Sequence, residues 1–135
     1  MGFEYGQDTT IRVEVEGREY SAPVDSPEFI EYWRRNERRM AELEKYAHYT
    51  DKQIEEIPDE EADGVAKDSV RLCVEMVVAL FGPEVAREIF NGRERSLTFC
   101  LALSDYVYSQ FEEQDLLGKI TKATRKYSPD NVQGD

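Results

Sequence analysis

Apolar positions follow two rhythms along the chain. Ile11, Val13 and Val15 alternate with Arg12, Glu14 and Glu16, the period of two expected of a half-buried strand. Glu16-Gly17 supplies a two-residue turn, and a return strand in that register sets Val15 opposite Arg18, Val13 opposite Tyr20 and Ile11 opposite Ala22. The apolar side chains then gather on one face of a hairpin. A lone hairpin is marginal in water, so that face must dock on the helices, or the edge must pair with another chain, or both.

From Pro27 onward the rhythm is helical. Asp25-Ser26-Pro27-Glu28 places a capping side chain, a proline at the first helical position and an acid near the positive end of the dipole. Phe29, Trp33, Asn36, Met40, Leu43 and Ala47 step by four and three, a seam widened by Ile30 and Tyr46. The remaining face is charged, with Arg34, Arg35, Arg38 and Arg39 among acids, and reads as a solvated face with weak pairs such as Glu31 with Arg35. Tyr49 to Gly64 is acidic around Pro58 and predicts a solvated connection or a short turn of helix. From Val65 a second long helix carries Leu72, Cys73, Met76, Val77, Leu80 and Phe81. Gly82 ends it, and Pro83 opens a short corner helix to Phe90, closed by Asn91-Gly92. Ser96 caps a third helix whose stripe is Cys100, Leu101, Leu103, Ser104, Val107, Tyr108 and Phe111. The fold class is therefore α+β, mostly α: an N-terminal β-hairpin, a long helix, and a packed helical pair with a short corner helix.

Length and charge refine this picture. At 135 residues, 40% of them apolar and 34% charged, the chain can build one core without disulfides or metal. Residues 1–115 form that domain. Residues 116–135 form a basic segment, helical in part and disordered at its end, in which Lys119, Lys122, Arg125 and Lys126 face only Asp130 and Asp135. Its net charge of +2 leaves −14 on the rest, out of −12 in total. A basic end on an acidic body invites contact between neighbouring copies. The overall sign argues against nucleic-acid binding, which depends on neutralising phosphates. No apolar run nears the roughly 20 residues needed to cross a bilayer, so no membrane association is expected and the cytoplasm is the expected location.

Chemistry is sparse. Cys73 and Cys100 fall on apolar helix faces, where a thiol behaves as a small hydrophobe. The single histidine, His48, sits at a helix end near Asp51. The acids of 51–63 lack the glycine and ligand spacing of a calcium loop. With no phosphate loop, Cys-x-x-Cys or His-Glu-x-x-His, the expectation is a non-enzyme without cofactor or metal.

Particular residues carry a resemblance. The hairpin from Ile11 to Tyr20, Asp25-Ser26-Pro27-Glu28, Leu72-Cys73-Val74-Glu75, Leu80-Phe81-Gly82-Pro83, Ile89-Phe90-Asn91-Gly92-Arg93, Thr98-Phe99-Cys100-Leu101 and Lys126-Tyr127-Ser128-Pro129 together resemble a family of small proteins encoded in the tail-gene region of phages and prophages of Gram-positive bacteria. Those proteins are similar to tail assembly chaperones, which coat the tape-measure protein while the tail tube polymerises. The resemblance implies a protein of the bacterial host cytoplasm that associates with itself and with a tape-measure protein. It also implies contacts through Trp33, Met40 and Leu43 and through Lys119, Lys122, Arg125, Lys126 and Tyr127. The alternative from another class is an acidic inhibitor or nucleic-acid mimic that blocks a basic site on a host protein.

Overall fold

The alternation at the start of the chain becomes two antiparallel strands, β1 (Thr10–Val15) and β2 (Arg18–Pro23), in the register expected: Val15 faces Arg18, Val13 faces Tyr20 and Ile11 faces Ala22. Glu16 and Gly17 turn the chain with φ of 52° and 81°, the paired positive values that match strand twist in a two-residue hairpin. The computed structural model describes residues 10–113. The C-terminal segment, with its expected boundary after residue 115, lies outside them.

The hairpin docks rather than standing apart. Ile11, Val13, Ala22 and Val24 are buried in one core with residues of the helices. The outer edge of β1 is occupied from within the chain. The Gln110 side chain accepts from the Arg12 amide at 2.8 Å and donates to the Arg12 carbonyl, so a side-chain amide stands where a third strand would pair. Arg93 holds the hairpin turn, reaching Glu16 at 3.0 Å while lying over the Phe99 ring.

Ser26 caps α1 (Pro27–Glu44), its hydroxyl accepting from the Phe29 amide. Phe29, Trp33 and Asn36 of the expected seam are buried, and Tyr32 joins them. Tyr32 was not part of that seam. At its other end the seam is overturned: the helix tightens to a 3-10 turn over Lys45–His48, and Ala47 is exposed. The acidic stretch takes the short turn of helix, one of its two expected forms, with its acidic side chains exposed. Thr50 and Gln53 form a reciprocal capping box for α2 (Asp51–Glu55). Then α3 (Asp59–Phe81) starts six residues before Val65. Asp59, Glu60 and Glu61 occupy its first turn, where carboxylates meet the positive end of the dipole.

α1 and α3 run antiparallel, as three contacts at successive levels show. The Tyr32 hydroxyl donates to the Leu72 carbonyl at 2.8 Å, Arg39 pairs with Asp68 at 2.7 Å, and the Tyr46 hydroxyl donates to Glu61 at 3.0 Å. Gly82 and Pro83 then turn the chain into α4 (Pro83–Phe90), with Ala86, Ile89 and Phe90 buried. Asn91 closes that helix in the left-handed region. Ser96 caps α5 (Leu97–Glu113) through the Phe99 amide. Cys100, Leu103, Val107 and Phe111 face the core, whereas Leu101, assigned above to the stripe, is 49% exposed. One step beyond Cys100 on a helix is a turn of about 100°, enough to leave the buried face.

Gly82 adopts φ 86° and ψ 162°, a region open essentially to glycine alone. A Cβ there would meet nothing within 4 Å, so only the backbone resists a side chain. Gly82→Ala is expected to lower unfolding free energy by about 1–3 kcal/mol, read as a reduced urea midpoint with an unchanged slope.

Candidate functional site

α3 carries two apolar stripes. The first, Leu72, Cys73, Met76, Val77 and Leu80, is buried in the core. The second, Val74, Val78 and Phe81, steps by i, i+4 and i+7 on a neighbouring face and stays partly in water, with Val78 38% exposed. This stripe floors an open groove of about 710 Å³ between α1 and the last turns of α3. Tyr32, Glu28, Glu31, Arg35, Glu75 and Gly82-Pro83 line it as well. Arg35 is 3.8 Å from Glu31 and Glu75 is 3.0 Å from Arg71. These are exposed pairs that solvent screens and that leave the rim carboxylates accessible.

On α5 Leu97 and Leu101 lie one turn apart at 37% and 49% exposure, while Tyr106, also 49% exposed, projects from the opposite side of that helix. A third feature is acidic. Asp51, Glu55, Glu56, Asp59 and Glu60 are all exposed around α2 and the start of α3, with Ile54 exposed among them.

The contact residues anticipated on α1 sit mostly inside the molecule. Trp33 is 9% exposed, edge-on to Phe111 at 6.2 Å and tilted on Phe29 at 6.1 Å. Its indole N–H has no hydrogen-bond partner among the described residues. Met40 is half-buried, and its sulfur accepts from the Tyr108 hydroxyl at 3.2 Å. Leu43 is also half-buried and packs on the core. The structure thus brings Trp33, Met40 and Leu43 into the interhelical packing. Lys119, Lys122, Arg125, Lys126 and Tyr127 lie outside the described residues. What the reading of the sequence missed is the second stripe on α3, to which Phe81, assigned above to the core stripe but only half-buried, belongs. Its signal was present in the spacing of Val74, Val78 and Phe81.

Titratable groups in the interior favour their neutral forms. Burial pushes the Cys73 thiol up to about 12, and the Cys100 thiol beside it is raised as well. Both cysteines are buried and free. Burial likewise pushes Tyr108 up to about 12 and raises Tyr32 further. A thiol held neutral is a poor nucleophile at physiological pH. His48 is exposed at the end of the 3-10 turn. Among the described residues no group of three His, Cys, Asp or Glu side chains is placed to hold a metal ion, and no helix is long and apolar enough to cross a membrane.

Residues 28–134 match the model of a family described as Family of unknown function (DUF6673). No curated protein and no solved structure matches the chain.

The raised thiol of Cys73 makes stability depend on pH in one direction. In the unfolded chain it ionises near its ordinary 9.0, while in the folded protein it holds its proton to about 12. The unfolded state therefore releases protons first as pH rises. Stability is full below pH 9.0, and this contribution is lost progressively as pH rises towards about 12. Urea midpoints compared at pH 7.5 and 10.5 should fall at the higher pH, by less in Cys73→Ala measured against its own neutral-pH value. At neutral pH both thiols should react with a thiol reagent only after denaturation.

Proposed function

The chain belongs to that family of unknown function, and we propose that it is a non-enzymatic phage tail morphogenesis protein, a tail assembly chaperone that self-associates and coats the tape-measure protein in the bacterial host cytoplasm. The observation that carries this reading is the apolar floor of Val74, Val78 and Phe81 in an open channel between two helices. An amphipathic helix buries i, i+3, i+4 and i+7 anchors in such a groove, and a tape-measure protein is a long, mostly helical client. Exposed Leu97 and Leu101, one turn apart on α5, supply a separate apolar surface through which copies could associate while the groove holds a client. Burial of Trp33 moves the proposed client contact from the α1 seam to the second stripe of α3.

A second reading is favoured by the exposed acids around α2: an inhibitor or nucleic-acid mimic that covers a basic site on a host protein. The two differ in what holds the complex. Apolar contact survives salt, whereas contact between exposed charges is screened within about 8–10 Å at physiological ionic strength.

Co-expression with the tape-measure protein of the same genome, followed by pull-down and light scattering at low and high salt, separates them. The chaperone reading expects a salt-resistant complex of several copies, weakened roughly tenfold by Val78→Arg through loss of one apolar anchor. A protein that stays monomeric and captures no tape-measure chain overturns it. A complex that dissolves in salt and is insensitive to Val78→Arg favours the inhibitor.

A further inference from the structure

The two edges of the hairpin are finished differently. On β1 the Arg12 amide and carbonyl point away from β2, because both are bonded to Gln110 of α5. In an antiparallel ladder, opposed residues alternate between pairs that exchange hydrogen bonds and pairs whose amides and carbonyls turn outward. Arg12 opposes Ser21, and two residues along the strand Glu14 opposes Glu19. Ser21 and Glu19 therefore turn their backbone groups outward from β2. Both residues are exposed, and among the described residues neither backbone has a hydrogen-bond partner beyond the hairpin. No bulge interrupts the register between β1 and β2, and an unpaired, regular edge is a template for another strand.

A second copy of the same edge fits it in one register. Identical strands related by a two-fold axis pair antiparallel, and residues with outward backbone groups must oppose one another. Centred on Glu19, the pair would line up Glu14 and Glu19 of one copy with Glu19 and Glu14 of the other, an unbroken row of like charge. Centred on Ser21, it would set Glu19 against Pro23, which has no amide hydrogen to give. Centring on Tyr20 avoids both faults. Glu19 of each copy then exchanges both hydrogen bonds with Ser21 of the other. The row across the joined sheet becomes Arg12 and Ser21 of one copy, then Glu19 and Glu14 of the other, with an arginine and a glutamate on either side of a small serine. Arg12 already leans across β2, 3.7 Å from Glu19 of its own hairpin, towards the edge that the second copy takes. Tyr20, half-buried on the core side, meets its counterpart in the closer, non-hydrogen-bonded kind of pair.

We propose that the free edge of β2 joins two copies of the chain into one continuous antiparallel sheet, about a two-fold axis at Tyr20. The inference rests on the self-association proposed above and assigns it a backbone surface distinct from the apolar one on α5. A two-fold contact closes on itself and gives pairs. The separate surface at Leu97 and Leu101 is then what extends pairs into longer assemblies.

Sedimentation equilibrium and amide hydrogen exchange of the full-length protein test this. The expected result is a monomer–dimer equilibrium in which the Glu19 and Ser21 amides exchange freely in dilute solution and slow by roughly tenfold or more as the dimer fills. Ser21→Pro removes an outward amide hydrogen and spares the bonds between β1 and β2, so it should weaken the dimer roughly tenfold or more. Ser21→Ala keeps that amide and should keep the dimer. Were Ser21→Pro to disturb the hairpin, seen as a changed circular dichroism spectrum, the exchange of the wild-type amides decides alone. A dimer in which those amides still exchange freely overturns the proposal while leaving self-association to the α5 surface, and Leu101→Asp should then abolish it. A chain that stays monomeric at every concentration overturns the proposal and self-association together. Client capture is read separately, by the pull-down with the tape-measure protein and its sensitivity to Val78→Arg.

Discussion

The aromatic edge of α1 is what the rest of the structure depends on. Phe29, Tyr32 and Trp33 are buried on one side of that helix, with Phe111 of α5 closing against two of them. An aromatic side chain removes roughly 150–250 Å² from water, so this cluster outweighs any of the exposed ion pairs at the surface. Its position also sets the geometry. Tyr32 cannot be buried without a partner for its hydroxyl, and the Leu72 carbonyl provides one at 2.8 Å. That bond sets the level at which α1 crosses α3, and with it which α3 residues stand next to Glu28 and Arg35. The groove exists because this crossing leaves the second stripe of α3 beside α1 rather than beneath it.

Much of this was readable in advance. The strand register followed from the alternation of Ile11, Val13 and Val15 around Glu16-Gly17, because a one-residue slip would have turned all three to water. Helix boundaries followed wherever a residue has a single structural use, as Ser26, Pro27, Gly82, Pro83, Asn91 and Ser96 do. The start of α3 was harder. Asp59 to Gly64 has no apolar pattern, and what makes it helical is the favourable end of a dipole that the rest of the helix creates. Leu101 was misassigned because α5 is apolar over more than one face, so periodicity alone could not say which residues turn inward.

The candidate site was less legible than the fold, for a physical reason. A contact surface is made of the same residues as a core, and which it becomes depends on whether a neighbouring element covers it. Trp33 and Val78 illustrate the two outcomes. The tryptophan met Phe111 and became interior, whereas the valine met no helix and remained at the surface. Nothing local to either residue distinguishes them, because the covering helix comes from a distant part of the sequence. The neutral buried thiols of Cys73 and Cys100 belong with the first outcome, as space-filling groups between α3 and α5.

The bond pair between Gln110 and Arg12 joins residues 98 positions apart, and this bears on how the chain reaches its native state. Helices α3 and α4 consist of local contacts and can form early, whereas the hairpin, which packs on both α3 and α5, gains its edge partner only after α5 has returned across the molecule. Loop closure over such a span carries an entropic cost that local contacts do not, and distant pairings slow folding. Among the described elements the hairpin is thus the last to be locked, although during synthesis it emerges before the helices. Until α5 is complete, β1 presents an open strand edge, and a growing chain is exposed to misassociation for as long as that helix is still to be made.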